Sequence, residues 1–466
     1  MTIAIGVLMM LGYIFIATEH LTNINKAATA MFAGVVGWIL FMLTGTEYIS
    51  VFHPIEWANY LDGAEPDWTH TQGFIAGNIF TKHATYICNL VMYMLATMAI
   101  VDVLNANECF NFLKDWIRNR NSKKVLWISV TIAFFLSCNL DNLTVTLMMI
   151  LLLKKIIEND KQRIYIGAAV LIAACCGGCC TVIGDISSLM VWYKGAVSPA
   201  SFSASMIIPA MVATVIPVYL ISRKLPHTLD LVRPTFMFRG EDSLMPMWQQ
   251  IILLIIGMGG LWFVPTFHRI TLLPPFVGAL CVLCFLWVLN EVFNHKRIRT
   301  EQPFILSGSD HRLMYETLQV IMFVIGMCLA VGVLIECGAM GWLRRMAETL
   351  IPNIYILSAA TGLISGALDN VAVVLTGINM YDVMPDSSTL TDGINVFAEN
   401  GCYWDMIVFS GVVGGCLLPI GNTAGLAFLK MEEEATASWY LKHIAGKVLL
   451  GWLVGLAVYF LIQNCI

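Results

Sequence analysis

The chain has 466 residues, of which 58% are hydrophobic and only 12% are charged, and its formal net charge is −5. Soluble proteins carry about 25% charged residues, so this composition, with its repeated apolar segments, excludes a soluble protein and predicts an all-α polytopic membrane protein. The lipid bilayer is therefore an expected partner, and nucleic acid is not.

Ten apolar segments are predicted as spanning helices. They are 3–18, 27–44, 84–104, 164–193, 205–222, 248–264, 273–292, 313–335, 404–429 and 439–463. Lys and Arg collect in cytoplasmic loops, which gives the orientation of these helices. Residues 45–75 contain no Lys or Arg and are expected outside, whereas 105–124 contain five and are expected inside.

A further apolar segment, 125–153, has two lysines directly before it and two directly after it. A single span would place one of these basic pairs outside, against the rule for cytoplasmic charges. A re-entrant hairpin removes the conflict, because arms of about ten residues rise roughly 15 Å, half of the ~30 Å membrane core. The pair Asp141-Asn142 is then expected at the hairpin tip, near the midplane.

The predicted span 164–193 has a glycine-rich interruption. Gly177, Gly178 and Gly184 lie in its middle, and Asp185 follows directly. Glycine weakens a helix and frees backbone groups there, so the helix is expected to break at this point. Interrupted helices in corresponding halves of a chain are the best sequence indication of a transporter binding site.

The second half repeats both features in the same order. A second apolar hairpin, 354–379, carries Asp369-Asn370, and a second interrupted span, 404–429, follows it. This interruption contains Gly414, Gly415 and Gly421 and is followed by Asn422 and Thr423. Residues 380–403 contain acidic residues but no Lys or Arg, so this hairpin is expected to open outward, whereas the first opens inward.

The chain is therefore predicted to be an inverted repeat, with five transmembrane helices and one re-entrant hairpin in each half. The first repeat covers 1–223, a basic cytoplasmic linker covers 224–246, and the second repeat covers 247–466. Inverted repeats of this kind place the substrate site at the interface between the repeats.

Carboxylates near the membrane midplane are functional candidates, because a charge is costly there. Asp141, Asp185 and Asp369 are such groups. Small hard cations prefer carboxylate and neutral oxygen ligands, and the neutral candidates are Asn142, Thr144, Thr146, Ser187, Ser188, Asn370, Asn422 and Thr423. Competition between a proton and a cation for one carboxylate is the minimal mechanism of cation/proton antiport.

The two halves are expected to be unequal. The first half has Leu-Thr-Val-Thr at 143–146 where the second has Val-Ala-Val-Val at 371–374, and Asn422 replaces Asp185. Hydroxyl ligands and one negative charge are thus concentrated in the first half. Asp141 and Asp185 are the predicted ligands of the transported cation, and Asp369 is expected to carry a proton or to tune Asp141.

The Asp and Cys residues of these segments have three other interpretations. The Asp residues cap half-helices in the purely structural interpretation. The cysteines 175, 176, 179 and 180 resemble a soft-metal site, although a packing role for them is favoured. An intramembrane aspartyl protease requires Gly-x-Gly-Asp, whose first Gly is missing from Val-Ile-Gly-Asp at 182–185. Neither an enzymatic activity nor a cofactor is expected.

Four motifs together resemble the NhaD-type sodium/proton antiporters of the ion transporter superfamily. They are Leu-Asp-Asn-Leu-Thr-Val-Thr (140–146), Gly-Gly (177–178), Ile-Gly-Asp (183–185) and Gly-Asn-Thr-Ala-Gly (421–425). The resemblance extends from about residue 5 to 460. It implies an inner-membrane protein that exports Na+ or Li+ in exchange for H+, in a superfamily where homodimers are usual. Its ion-binding motif residues correspond to Asp141, Asn142, Thr144, Thr146, Asp185, Ser187 and Ser188.

An arsenite, metalloid or other anion transporter of the same superfamily is the alternative. The superfamily's dicarboxylate carriers resemble this architecture but have neutral hairpin tips, since a carboxylate would repel an anionic substrate. The Asp residues at both tips therefore favour a cation.

Overall fold

The computed structural model describes residues 2–22, 24–232, 245–298, 308–384 and 396–465. Within these ranges the regular elements are all helices, apart from three isolated β-bridges. Seven of the helices are long and apolar enough to cross a membrane, or eight if the bent pair Ala339–Leu350 and Ile354–Ala367 forms one span. The prediction of an all-α polytopic membrane protein is confirmed.

The first half contains thirteen α-helices. They are α1 (Thr2–Ala17), α2 (Glu19–Thr22), α3 (Lys26–Thr44), α4 (Thr46–Phe52), α5 (Pro54–Leu61), α6 (Trp68–Phe74), α7 (Thr81–Ala106), α8 (Phe112–Ile117), α9 (Ser122–Ser137), α10 (Asn142–Ile156), α11 (Asp160–Gly178), α12 (Ile186–Tyr193) and α13 (Pro199–Ser222). A π-helical segment, Ile75–Phe80, joins α6 to α7.

The second half contains ten α-helices among the described residues. They are α14 (Met247–Thr271), α15 (Pro275–Ile298), α16 (Gly308–Glu336), α17 (Ala339–Leu350), α18 (Ile354–Ala367), α19 (Asn370–Ile378), α20 (Cys402–Gly414), α21 (Thr423–Met431), α22 (Ala437–Tyr440) and α23 (Gly446–Cys465). A second π-helical segment, Leu441–Ala445, joins α22 to α23.

Seven predicted spans correspond to the long helices α3, α7, α13, α14, α15, α16 and α23. The first predicted span is the shorter helix α1. Each of the two glycine-containing spans is a pair of helices with non-helical backbone between them. In the first half α11 ends at Gly178 and α12 begins at Ile186, and in the second half α20 ends at Gly414 and α21 begins at Thr423.

Each apolar hairpin segment is a pair of helices whose second helix is capped by the Asp of the Asp-Asn pair. Helices α9 and α10 contain 16 and 15 residues, so each is more than 20 Å long. They are longer than the arms expected from sequence, because the flanking lysines are part of the helices. Lysines in the last turn of α10 interact favourably with the negative end of its dipole. The re-entrant orientation of both hairpins stays a prediction.

The same close contact joins hairpin and broken helix in each half. A Cβ atom on Gly177 would lie 2.3 Å from the carbonyl oxygen of Phe134, and one on Gly414 would lie 2.4 Å from that of Gly362. Because α11 packs on α9 and α20 packs on α18 in this way, the two halves repeat one packing arrangement. This supports a duplication, while the inverted orientation of the copies stays a prediction.

Each hairpin also packs on the broken helix of the other half, so that α10 contacts α21 and α19 contacts α12. A lysine stabilises each of these contacts. The Lys154 ammonium donates to the carbonyl oxygen of Met431, and the Lys194 ammonium donates to those of Ile378 at 2.5 Å and Tyr381 at 2.8 Å. The hairpin tips and the helix breaks therefore meet between the two halves.

The start of the predicted linker is attached to the base of the first hairpin. Two antiparallel β-bridges join Asn121 to Thr228 and Ile157 to Leu231. Residues 233–244 of the linker, including Arg233 and Arg239, lie outside the described residues. The cytoplasmic location of the linker stays a prediction.

The inverted topology can be tested with two exposed positions. Lys161 follows the first hairpin and Glu399 follows the second. A cysteine in place of Lys161 is expected to react with a membrane-impermeant maleimide only from the cytoplasmic side, and one in place of Glu399 only from outside. The parent chain gives the background of labelling. If the cysteine at 161 reacts from outside, segment 125–153 is a complete span and the inverted repeat is wrong.

Candidate ion-binding site

Asp141 has one carboxylate oxygen in a helix cap and the other without a partner among the described residues. It is the N-cap of α10, with extended-type backbone angles (φ −55°, ψ 140°), and its Oδ2 accepts a hydrogen bond from the Leu143 amide at 3.1 Å. Its Oδ1 is buried and has no hydrogen-bond partner among the described residues. Buried polar atoms are nearly always satisfied, so this oxygen is a natural ligand for a bound cation or proton.

Asp185, the N-cap of α12, has both carboxylate oxygens engaged. One accepts from the Ser187 amide at 2.9 Å, and the other accepts from the Asn142 side-chain amide at 2.7 Å. Ser188 completes the cap, because its hydroxyl donates to the Asp185 carbonyl oxygen at 2.8 Å. The bond from Asn142 connects the first hairpin tip to the first helix break, so the two caps are adjacent.

A cavity of about 20 Å³ is lined by Asp141 and Asp185 together with Asn139, Tyr93 and Thr97. This volume accommodates about one water molecule. The Asn139 side-chain oxygen and the Tyr93 hydroxyl are also buried without hydrogen-bond partners in the described part of the chain. Three residues that line this small cavity thus each carry an oxygen without a described partner, and hard cations bind carboxylate and neutral oxygen ligands.

Asn139 and Tyr93 were not identified from the sequence. Asn139 precedes the Asp-Asn pair by two residues, so its place at the hairpin tip was a usable signal. Tyr93 lies inside a predicted span without any flanking motif. The packing of α7 against α12 brings it to the cavity.

The two threonines of the first motif are placed differently. The Thr146 hydroxyl is buried and has no partner among the described residues. Thr144 lines a wider cavity of about 330 Å³, which also includes Lys114 and Lys155 and therefore lies toward the predicted cytoplasmic side. Met98 lines both this cavity and the small one, so it separates them. Ser187 has a buried hydroxyl without a described partner as well.

In the second half, Asp369 forms an ion pair. It is the N-cap of α19, where its Oδ1 accepts from the Val371 amide at 3.0 Å. Its Oδ2 accepts from the ammonium of Lys26, and both side chains are buried. Lys26 was not predicted from the sequence, because a lysine at the end of an apolar segment is usually at the membrane interface.

The other second-half candidates lie at the second hairpin tip and at the second helix break. The backbone amide of Asn370 donates to the Gly421 carbonyl oxygen at 3.0 Å. Asn422 caps α21, accepting from the Gly425 amide at 2.5 Å. Thr423 lines a cavity of about 50 Å³ that also includes Lys26 and Leu143. This cavity therefore contacts both the first hairpin and the second helix break.

The cysteines around the first break are free thiols. Among the described residues, no group of three His, Cys, Asp or Glu side chains is arranged to hold a metal ion. The Asn422 amide nitrogen lies 3.6 Å from the sulfur of Cys175 and 3.4 Å from that of Cys416. The thiols thus pack around the break, and the geometry gives no support to a soft-metal site.

Gly184 and Gly421 provide a test of the close packing at the breaks. A Cβ atom on Gly184 would lie 2.5 Å from the Ser137 carbonyl oxygen, and one on Gly421 would lie 2.5 Å from that of Ser365. Overpacking typically costs about 1–3 kcal/mol. We expect Gly184→Ala and Gly421→Ala to lower the melting temperature of the purified protein, whereas the control Gly259→Ala, which meets nothing within 4 Å, should not. Equal melting temperatures for all three would show that the breaks are loosely packed.

The chain is similar to several antiporters. Sodium/proton antiporter 2 of Arabidopsis thaliana is 28% identical over 460 residues, which cover 97% of this chain and 98% of that protein. Sodium/proton antiporter 1 of the same plant is 28% identical over 387 residues, covering 82% of this chain but 63% of that protein. The Na+/H+ antiporter NhaD of Vibrio cholerae serotype O1 is 26% identical over 404 residues, covering 80% and 78%. The resemblance to NhaD-type antiporters is thereby confirmed.

The sequence profile of the citrate transporter family (CitMHS) matches residues 13–397. This range is most of the chain and includes both hairpins and the first broken helix. The family and the named relatives are transporters, so the protein is a multi-pass membrane transporter and not an enzyme, as predicted. Because the match covers far more than half of the sequence, the chain belongs to the citrate transporter family.

Proposed function

We propose that this transporter exchanges cytoplasmic Na+ for external H+ across the plasma membrane, with Li+ as an alternative cation. The observation that carries the proposal is the small cavity at Asp141, whose lining residues include a carboxylate, an amide and a phenol oxygen that are buried without partners among the described residues. The names of the similar proteins, which are sodium/proton antiporters, support the same substrates.

Asp141 is the carboxylate for which Na+ and H+ compete in this proposal. Asp185 adds a second negative charge, and the Ser187 amide and the Asn142 side chain hold it in place. Asn139 and Tyr93 supply the neutral oxygens that a hard cation requires. Na+ and a proton on Asp141 exclude each other, because protonation removes the negative charge that holds Na+ and bound Na+ favours the ionised carboxylate, and this exclusion couples the two fluxes.

Two wider cavities lie toward opposite predicted sides of the membrane. The cavity of about 330 Å³ beside Thr144 lies on the predicted cytoplasmic side. A cavity of about 270 Å³, which includes Lys82, His83 and Lys194, lies on the predicted outer side. Because Met98 lines both the inner cavity and the small one, we assign Na+ entry to the cytoplasmic route past Thr144.

Citrate transport is the second candidate, because the family is named for it. A citrate site needs cationic groups that face the substrate. Among the described residues, no Lys or Arg lines the small cavity, whereas two Asp residues do. The neighbouring Lys26 is already paired with Asp369. The charge of the site therefore favours a cation as the substrate.

The purified protein in liposomes with a pH-sensitive dye inside can distinguish these candidates. Addition of NaCl or LiCl outside is expected to drive protons out of the lumen, whereas addition of KCl, citrate or arsenite is not. Liposomes without protein give the background. A proton flux driven by citrate or arsenite and absent with NaCl would contradict the proposal and favour an anion transporter.

A further inference from the structure

We propose that Lys26, which belongs to the first half, is a tethered cation at the second-half cap, occupying at Asp369 the position that Na+ takes at Asp141, so that each chain binds one Na+. This inference rests on the proposed sodium function. It assigns a role to a buried lysine that lies outside all four sequence motifs.

The two Asp caps have nearly the same geometry. Asp141 and Asp369 have φ of −55° and −71° and ψ of 140° and 137°. Each uses one carboxylate oxygen to accept from the amide two residues later, at 3.1 and 3.0 Å. The caps differ in the second oxygen, which pairs with the Lys26 ammonium in Asp369 and has no described protein partner in Asp141.

The position of Lys26 is explained by Asp369 and not by its own helix. Lys26 is the first residue of α3, where the positive end of the helix dipole disfavours a cation. Its side chain is 9% exposed and that of Asp369 is 1% exposed. The ammonium also lies 4.6 Å from the centre of the Phe323 ring, an arrangement that stabilises a desolvated cation.

The charges around the two caps agree with this role of Lys26. At the second-half cap the Lys26 ammonium neutralises the Asp369 carboxylate, and Glu19 and the exposed Lys430 line the adjacent cavity of about 50 Å³. The small cavity at Asp141 has two carboxylates and, among the described residues, no basic lining group. Among the described residues, only the first-half site therefore requires a bound cation to neutralise its carboxylates.

The inference predicts how many Na+ ions each variant binds. The wild-type protein in detergent should bind one 22Na+ per chain at saturation. Lys26→Met should raise this number to two at alkaline pH, because Asp369 is then available as a ligand. Lys26→Arg, which preserves the charge, should still bind one. Lys430→Met is the matched control, since it removes a lysine from the same cavity without breaking the ion pair, and it should also bind one.

Lys26→Met leaves Asp369 without its partner, which can prevent folding. The neutral double variant Lys26→Met/Asp369→Asn removes this problem and should bind one Na+ through Asp141. Loss of Na+ binding by the folded double variant would overturn the inference, because Asp369 would then be a ligand of the transported ion. A single Na+ in folded Lys26→Met at both neutral and alkaline pH would also overturn it.

The wild-type measurement separates this inference from the function on which it rests. Two Na+ ions per wild-type chain would overturn the tethered-cation role alone. No Na+ binding to the wild-type protein would overturn the proposed sodium function and the inference together.

Discussion

Asp141→Asn is expected to abolish sodium-driven proton movement at every pH, while the protein still inserts into the membrane. Asn is as good an N-cap as Asp, so the start of α10 should survive the substitution. The amide, however, has no negative charge for Na+ and no exchangeable carboxyl proton, so the competition between the two ions is lost. Dequenching of a pH-sensitive dye in inverted vesicles after addition of NaCl measures the effect.

Asp67→Asn is the matched control for this variant. Asp67 is also an N-cap, accepting from the Trp68 amide at the start of α6, but it is exposed and distant in sequence from both hairpins. It should transport like the wild-type protein. Substantial exchange by Asp141→Asn, at a membrane abundance equal to that of the control, would show that the transported ions do not compete at Asp141.

Asp185→Asn and Asp369→Asn should have different effects although both remove a buried carboxylate. Asp185→Asn should raise the apparent KM for Na+ by about tenfold or more, since a loss of 1.4 kcal/mol of binding free energy gives a factor of ten. Asp369→Asn should raise it less, because the Asp369 carboxylate is paired with Lys26. Sodium titrations of both variants in liposomes measure these KM values.

The main cost of Asp369→Asn should be stability. Breaking a buried ion pair by removing one partner typically costs about 3–5 kcal/mol, so this variant should have a lower melting temperature. The pH dependence of its sodium/proton exchange should also be altered. Combining it with Lys26→Met should recover part of the stability, since no unpaired charge remains. If Asp369→Asn weakens Na+ binding more than Asp185→Asn does, the second half and not the first carries the principal cation site.

The parts of the fold that the sequence predicted have local causes. The Asp of each hairpin is followed by a helix that it caps, and glycines at each interruption permit close contacts that any side chain would block. The distinction between hairpins and spans, which rests on charge counts in the loops, stays a prediction. The exact helix lengths were harder to predict, because the lysines that flank the first hairpin are part of its helices.

The residues that the sequence did not predict reach the site through tertiary contacts. Lys26 pairs with a residue 343 positions away. Tyr93, in α7, lines the same small cavity as residues of the first hairpin tip. Likewise, Arg163 at the start of α11 pairs with the buried Glu432 beyond α21, at 2.8 Å. A single sequence has no pattern that connects such partners, since each of them looks like an ordinary interfacial or core residue in its own segment.

The packing of each hairpin on the broken helix of the other half has an evolutionary consequence. Since α10 contacts α21 and α19 contacts α12, a protein made of one repeat would leave its hairpin tip uncovered. If the halves are inverted as the loop charges predict, two such short chains inserted in opposite directions would cover each other. An ancestral gene for one repeat would then have encoded a dual-topology homodimer, and its fusion would have allowed the first copy to carry Lys26 and Asp185 while the second copy carries Asn422 in place of Asp185.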